Sequence, residues 1–321
     1  MDKKLPGLTR ALDDSFMCEL FSRYLPGISL ERVNHSLRKY KPGKHCVIEY
    51  RLFQKARDSS YLRVFGKIYR KDRGKKLFVV LKELWEQWSQ YSGTAGMAKP
   101  LAYIPELRMI VQQEVGGIPA IEISDQQEQF EAMEMTAKNL ARLHRMQLRS
   151  APNMTLKDHF EKYNRPSTQK LLEALPDMSE IVEKIRRELL AEDLLNQAKR
   201  VVVHGDLNPE QVFIHNNQAY FVDFDGVASS HPALDLANFL ISLKARYGTD
   251  GQLLGKYFTE IYLSHAPHEN LEGLRVYHAL IYFRRAMICF RQKLIPSWAS
   301  TVRELLYKSE MYLNEPSILA A

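Results

Sequence analysis

Apolar and polar positions alternate along the first 115 residues in a pattern that predicts strands grouped around two helices. Runs rich in valine, isoleucine, leucine and tyrosine are separated by short turns that contain proline or glycine. Strands are predicted as a pair within residues 32–53, singly over 61–69, and as a second pair over 100–104 and 108–114, and helices over 8–24 and 76–91.

From residue 116 onward the apolar spacing predicts a mainly helical chain. The pair Gly116-Gly117 directly follows the last predicted strand, and flexible glycines at that point indicate a boundary between residues 1–115 and residues 116–321. Helices are predicted over residues 127–146, 156–165, 171–198 with an interruption at Pro176, 235–247, 252–264, 271–292 and 298–313.

One stretch, residues 201–238, departs from the helical pattern. A short apolar strand, VVV, runs into HGD, where Gly205 permits an unusual backbone path and presents Asp206 in a loop. Residues 211–222 are predicted to form a hairpin that ends at Asp223. The far end of this hairpin is expected to bring Asp223 back near Asp206.

Two carboxylates and the amide of Gln211 are then expected in one small volume. Such oxygens suit Mg²⁺, which usually needs only one or two carboxylates together with waters and substrate phosphates. Phosphoryl transfer needs a base to orient a hydroxyl, a metal and a lysine for the nucleotide, and Asp206 fits the first role while Gln211 and Asp223 fit the second. The alternative is two solvated aspartates in the loops of a hairpin.

The segments HGDLNPEQVF, FVDFDG and HPALDLANFL resemble the catalytic core of the aminoglycoside phosphotransferase and choline kinase-like family, which are small-molecule kinases with a protein-kinase-like fold. The resemblance implies that Asp206 is the catalytic residue and that Gln211 and Asp223 bind the metal. Asn is the commonest family residue at the position of Gln211. Because the last motif is DFD, Asp225 is either a further metal ligand or an ordinary loop carboxylate.

The same resemblance implies a nucleotide site in the first 115 residues. Lys67 lies near the end of the third predicted strand, where kinase-like folds carry a lysine that pairs the nucleotide phosphates. The helix that follows offers Glu83 and Glu86 to hold this lysine, and Glu83 is preferred.

Further site residues follow from the resemblance on either side of the boundary. Backbone groups of Gln113, Glu114 and Val115 are expected to contact the base of the nucleotide. Asp235 opens a predicted helix, where a carboxylate caps free N–H groups, and in related folds it braces the catalytic loop. His204 and Asp235 are therefore expected to be structural supports of the site.

The predicted fold class is α+β, a two-lobed protein-kinase-like fold. Its N-lobe is a small antiparallel sheet with one or two helices, and its larger C-lobe is mainly helical and carries the catalytic hairpin. Only eleven residues separate Asp223 from Asp235, too few for a peptide-docking platform. The expected reaction is therefore transfer of the γ-phosphoryl group of ATP, or of another nucleoside triphosphate, to a small hydroxyl compound such as an amino alcohol, an aminoglycoside or a sugar-like molecule. A non-catalytic nucleotide-binding or regulatory protein of the same fold is the alternative.

Charge and composition narrow the partners. Residues 1–114 carry 22 Lys and Arg against 12 Asp and Glu, whereas residues 115–321 carry 23 against 26. A nucleotide explains the basic excess as well as a nucleic acid does, and no nucleic-acid-binding module accompanies it, so no nucleic-acid partner is expected. The mildly acidic second part is compatible with a cationic acceptor.

No membrane partner is expected either, because no run of 18 apolar residues occurs in the sequence. The first seventeen residues lack the apolar core of a targeting peptide, and the three cysteines lie far apart in the sequence. Both features predict a reduced, cytoplasmic protein.

Overall fold

The computed structural model describes residues 2–55, 61–92, 96–165, 167–191, 200–266, 271 and 273–314. The chain forms two compact units. One unit comprises Met1–Ile118 together with Phe213–Val222, and the other comprises Pro119–Val212 together with Asp223–Ala321.

The first unit is built on a five-stranded antiparallel sheet. Its strands are β1 (Leu30–Lys41), β2 (His45–Gln54), β3 (Tyr61–Tyr69), β4 (Pro100–Ile104) and β5 (Met109–Gln113). They are hydrogen-bonded in the order β1-β2-β3-β5-β4. All five predicted strands are confirmed, because each pairs through its backbone with a neighbour in the sheet.

One face of this sheet buries its side chains against the N-terminal helices. Ile48, Tyr50 and Leu52 of β2 are fully buried in the same apolar cluster as Phe21. The Tyr50 hydroxyl donates a 2.7 Å hydrogen bond to the backbone carbonyl of Ala11. This bond satisfies a buried phenol and ties the sheet to the chain that precedes it.

The single helix predicted over residues 8–24 is wrong in one respect, because two helices occupy this range. They are α1 (Leu8–Ala11) and α2 (Asp14–Tyr24). Asp13 between them has an extended backbone, and its carboxylate accepts a hydrogen bond from the backbone N–H of Phe16. An aspartate that caps a helix starts a new one, which apolar spacing alone does not reveal.

A third helix and the predicted hairpin complete the first unit. The helix is α3 (Arg73–Ser92). Three short strands form a second sheet, β6 (Ile118–Pro119), β8 (Val212–His215) and β9 (Gln218–Phe221), whereas the short strand β7 (Val201–Val203) lies in the second unit. The backbone N–H of Phe221 donates to the carbonyl of Gly96, and its ring lies edge-on to Trp88 with centroids 6.3 Å apart. These contacts explain why residues 213–222 of the hairpin group with the sheet unit.

The second unit is mainly helical. Its helices are α4 (Gln126–Arg145), α5 (Leu156–Tyr163), α6 (Thr168–Ala174), α7 (Ser179–Ala191), α8 (Ala233–His265), α9 (Leu274–Gln292) and α10 (Trp298–Asn314). The helix α8 packs against α4 and α9, and α9 packs against α10. The strand β7 pairs antiparallel with β10 (Ala228–Ser230). Within the described residues, no helix has both the length and the apolarity that a membrane span requires.

One helix prediction in this unit needs correction. The range 171–198 contains α6 and α7 with a 3₁₀ turn, Pro176–Met178, between them, and its last residues, 192–198, lie outside the described part of the chain. The two helices predicted over 235–247 and 252–264 are confirmed, because a kink divides the helical segment α8 between these ranges. Gly248 lies inside it at φ 59° and ψ −124°, a conformation that glycine adopts without steric cost.

The β1–β2 hairpin supplies a matched test of the first unit's core. Leu52 has 0% exposed surface and Leu37 has 49%. We expect Leu52→Ala to lower the free energy of unfolding by about 2–5 kcal/mol, because it leaves a cavity in a packed face. Leu37→Ala is expected to change it by less than about 0.5 kcal/mol. Urea unfolding followed by circular dichroism measures both, and equal effects would contradict the assigned faces.

Candidate active site

The loop that carries Gly205 and Asp206, which we call the catalytic loop, touches the turn after the hairpin backbone to backbone. Gly205 has φ +79°, and a Cβ atom placed on it would lie 2.1 Å from the carbonyl oxygen of Gly226. Neither segment can carry a side chain at this crossing. The contact sets Asp206, the residue after Gly205, beside the turn that begins at Asp223, as the sequence predicts for a hairpin that returns to this loop.

Asp206 is accessible and is paired with a cation. Its side chain is 38% exposed, and its Oδ1 atom accepts a 2.6 Å hydrogen bond from Nη2 of Arg284. No protein donor contacts Oδ2 in the part of the chain that the structure describes. One carboxylate oxygen is thus fixed by Arg284, and the other is available to a ligand.

The turn after the hairpin has a left-handed residue at its start. Asp223 has φ 64° and ψ 50°, and it precedes the 3₁₀ turn Phe224–Gly226. Aspartate is one of the residues that tolerates this region, at a cost of about 1 kcal/mol. The Phe224 ring lies against the buried ring of His204, with centroids 4.4 Å apart. This packing holds the turn next to the loop that carries Asp206.

Gln211 presents an oxygen that the protein itself does not use. The residue ends the 3₁₀ turn Pro209–Gln211, and Oδ1 of Asn208 caps that turn by accepting the N–H of Glu210. The Oε1 atom of Gln211 is buried and has no hydrogen-bond partner among the described residues. A buried acceptor left unsatisfied costs about 1–3 kcal/mol, so a ligand that binds an oxygen fits this position.

A hard divalent cation fits this donor set. No cluster of three or more His, Cys, Asp and Glu side chains placed to hold a metal is found in the described ranges. Mg²⁺ does not require one, since it is bound through one or two carboxylates, with waters and phosphates as its other ligands. Asp223 and the unsatisfied amide oxygen of Gln211 are the residues that would hold it, with Asp225 as a further candidate.

A buried carboxylate holds the catalytic loop in place through hydrogen bonds to its backbone. Asp235 is fully buried, and its two oxygens accept hydrogen bonds from the backbone N–H groups of His204 (2.6 Å) and Gly205 (2.8 Å). Its Oδ2 also lies 3.3 Å from Nε2 of His144, whose Nδ1 is 2.7 Å from the hydroxyl of Tyr262. Asp235 therefore bonds the loop rather than the start of its own helix, where Pro232 is the N-cap residue.

The residues predicted for the nucleotide lie in the first unit. Lys67 is half-buried on β3, and its Nζ lies 5.5 Å from the centroid of the Tyr69 ring. On α3, Glu83 is half-buried whereas Glu86 is exposed, and the pairing of Lys67 with Glu83 stays a prediction.

The stretch 113–115 follows β5. The backbone N–H of Gln113 donates to the carbonyl of Lys99, and that of Glu114 donates to the carbonyl of Arg63. The carboxylate of Glu114 also accepts a hydrogen bond from Arg63. Two of the N–H groups expected to contact a base are therefore used within the first unit.

Three polar residues at the catalytic loop were missed by the sequence analysis. Nδ2 of Asn238 donates to the carbonyl of Leu207 at 2.8 Å, while Arg284 and Arg285 lie on α9. The available signal was the Arg-Arg pair inside the otherwise apolar segment LIYFRRAMICF. Two adjacent cations in a helix so apolar indicate a polar cavity next to it.

The charges of this pair are strongly affected by their surroundings. Burial acts to lower the pKa of Arg284, but the oxygens of Tyr163 and Asp206 outweigh it and the pKa lies above the ordinary arginine value. For Arg285, burial and the neighbouring Arg284 cation lower the pKa. Both side chains stay charged at neutral pH, because arginine is not deprotonated in proteins.

Residues 93–272, more than half of the chain, match the family model described as "Phosphotransferase enzyme family". No match is found among curated proteins.

Several solved structures are similar to this one throughout. Choline kinase from Cryptosporidium parvum is 14% identical, with a TM-score of 0.63 over 93% of this chain and 94% of that one. The aminoglycoside phosphotransferase APH(3'')-Id from Streptomyces rimosus is 16% identical, with a TM-score of 0.57 over 84% and 98%. The amicoumacin kinase hAmiN, in complex with AMP-PNP, Ca²⁺ and Ami, is 15% identical, with a TM-score of 0.59 over 86% and 88%. These likenesses confirm the predicted α+β, protein-kinase-like fold class.

The brace on the catalytic loop is testable by a substitution of one atom. In Asp235→Asn, an amide NH₂ replaces one of the two oxygens that face backbone donors, and we expect a loss of about 1–3 kcal/mol in the free energy of unfolding. Hydrogen exchange at the amides of His204 and Gly205 should become faster. Asp250→Asn, at an exposed site on the same helix, is the control and should leave both quantities unchanged. Unaltered exchange in Asp235→Asn would show that the loop is held by other contacts.

Proposed function

Because the chain belongs to the phosphotransferase enzyme family, we propose that it is an ATP-dependent kinase that phosphorylates a hydroxyl group of a small molecule. The family match confirms the resemblance found in the catalytic motifs. The observation that supports the proposal most directly is the backbone crossing of Gly205 and Gly226, because these glycines adjoin Asp206 and Asp225.

The proposed reaction needs little covalent chemistry from the protein. The acceptor hydroxyl oxygen forms a bond to the γ-phosphorus while the bond from that phosphorus to the β–γ bridging oxygen breaks, and ADP leaves with the electron pair. The hydroxyl proton passes to Oδ2 of Asp206. Arg284, which holds Oδ1, orients the carboxylate so that this second oxygen faces the acceptor.

The proposed reaction also requires Mg²⁺. When bound by Gln211 and Asp223, with Asp225 as a further candidate ligand, Mg²⁺ supplies positive charge to the phosphate oxygens. The chain's own contribution is to hold these side chains in a fixed frame. Gln211 takes its position from the capped 3₁₀ turn and Asp223 from its left-handed backbone.

Residues of the first unit are proposed to bind the nucleotide. Lys67 would pair with its phosphates and Glu83 would orient Lys67. Because the N–H groups of Gln113 and Glu114 are used within that unit, we assign the contact with the base to the other backbone groups of residues 113–115. The acceptor classes expected from the sequence are amino alcohols, aminoglycosides and sugar-like molecules.

Removal of the proposed base is the primary test. We expect Asp206→Asn to lower acceptor-dependent ATP consumption by about 10²–10⁴-fold, because proton transfer from the hydroxyl is lost, while nucleotide binding persists. The measurement is ADP release across a panel of hydroxyl compounds, with the phosphorylated product identified by mass spectrometry. Asp250→Asn serves as the matched control. Nucleotide binding by the wild type without turnover on any acceptor would instead favour the non-catalytic alternative.

The proposed metal ligand is tested by a binding measurement. Gln211→Leu fills most of the same space but removes the buried oxygen, and we expect it to weaken Mn²⁺ binding by about tenfold or more in electron paramagnetic resonance titrations with nucleotide present. Gln211→Asn keeps an amide oxygen and is expected to retain most of the affinity. Gln252→Leu on the exposed face of α8 is the control. Equal Mn²⁺ affinity in Gln211→Leu and the wild type would remove Gln211 from the metal site.

A further inference from the structure

A cavity of about 480 Å³ in the second unit opens beside the catalytic loop. This volume suits a small molecule. Three arginines, Arg246, Arg284 and Arg285, and two carboxylates, Asp206 and Glu210, contribute to its wall. The ionised groups of the cavity therefore sum to one positive charge, although residues 115–321 as a whole are acidic.

One of these arginines is partly satisfied by the protein. Arg284 donates through Nη2 to Asp206, and its guanidinium carbon lies 4.8 Å from the centroid of the Tyr163 ring. Its other amino group, Nη1, is buried and has no acceptor among the described residues. A charged donor of this kind is expensive to leave unpaired. Because this atom has no accessible surface, however, the donors that the cavity offers a ligand are those of Arg285 and Arg246.

The neighbouring Arg285 has a neutral partner. Its Nη2 donates a 2.8 Å hydrogen bond to the hydroxyl of Ser242, and no ion pair with a carboxylate is found for it in the described ranges. Burial lowers the pKa of Arg285, and the nearby Arg284 cation adds to this, although Tyr282 and Asp206 act in the opposite direction. A half-buried guanidinium in this state is matched by an anion, because the planar fork of N–H groups fits carboxylate and phosphate oxygens in pairs.

The carboxylates of the cavity are a poor match for a cationic ligand. Asp206 is paired with Arg284, and its second oxygen is the one assigned to the acceptor hydroxyl. Among the carboxylates that line the cavity, this leaves Glu210 to pair with an ammonium group. The guanidinium groups of Arg246 and Arg285 line the same cavity. Electrostatic repulsion by these two arginines would oppose the binding of a polycationic acceptor.

We propose that the acceptor is a small hydroxyl compound that carries an anionic group, a carboxylate or a phosphate, and that Arg285 binds this group in the cavity beside Asp206. Arg246, which is exposed, adds positive charge at the cavity. This inference rests on the proposed kinase activity and narrows its acceptor from amines and neutral sugars to acids and phosphate esters. The hydroxyl to be phosphorylated then lies at Asp206, with the anionic group held away from the reacting atoms.

Sets of acceptors that differ mainly in charge test the proposal on the full-length protein. Glycerate and glycerol 3-phosphate are compared with neutral glycerol, and ethanolamine is the cationic member. We expect kcat/KM to be at least about tenfold higher for an anionic member than for glycerol and ethanolamine, because a hydrogen bond between two ionised groups is stronger than one to a neutral group. Preference between glycerate and glycerol 3-phosphate identifies which anionic group the cavity accepts.

Two variants assign the effect to one side chain. Arg285→Met keeps an unbranched apolar stem and removes the charged guanidinium, and we expect it to raise KM for the anionic acceptor about 10- to 100-fold while KM for ATP changes less than about twofold. Arg291→Met, at an exposed position of the same helix, should match the wild type.

Anion binding is also measured directly, by calorimetry at constant ionic strength with Mg²⁺ and a non-hydrolysable ATP analogue present. The probes are inorganic phosphate, glycerate and glycerol 3-phosphate. At least one should bind the wild type and Arg291→Met, and should bind Arg285→Met about tenfold more weakly or not at all.

The outcomes separate the two proposals. Turnover that prefers glycerol or ethanolamine, or anion binding that is the same in Arg285→Met, overturns the anionic acceptor and leaves the kinase intact. Anion binding that depends on Arg285, with no turnover on any acceptor, supports the anion site and overturns the kinase. The absence of binding by all three probes overturns the anion site.

Discussion

The candidate site depends on one buried carboxylate. Asp235 accepts the backbone N–H groups of two consecutive residues, His204 and Gly205, at the point where β7 ends and the chain turns with positive φ. An aspartate buried without partners would be strongly unfavourable, so these two hydrogen bonds and the contact with His144 are what permit a charge at this depth. The direction in which Asp206 leaves the loop follows from that brace and from the glycine crossing beyond it.

Much of the architecture was accessible from local pattern, because alternation and helical spacing report which face of an element is buried. The five strands of the first unit and the loop that carries Asp206 follow from such patterns. The break at Asp13 did not, because a capping hydrogen bond interrupts the helix without changing its apolar spacing. The kink at Gly248, by contrast, lies between the two helices that the sequence predicted over 235–247 and 252–264.

The arginines of the cavity wall were not predicted from the sequence, for a different reason. Charge averaged over residues 115–321 is slightly negative, but electrostatic recognition depends on the few groups within several ångströms of a ligand. Arg284 and Arg285 are separated from Asp206 by 78 positions or more, so only the folded chain brings them together. The roles of Asp206, Gln211, Asp223 and Lys67 remain predictions that the geometry supports to different degrees.

The kinked helix α8 connects regions that otherwise have separate tasks. Before Gly248 it carries Asp235 and Ser242, which support the loop and the arginine wall, and after Gly248 it carries Tyr262, which contacts His144 behind the brace. At Gly251 the later portion packs closely on the backbone of Leu243 in the earlier one. The loop that carries Asp206 and the arginines of the cavity wall thus share one helical segment as their support. Under the proposed function, discrimination between ligands would therefore be expressed in the rate of the chemical step as well as in occupancy.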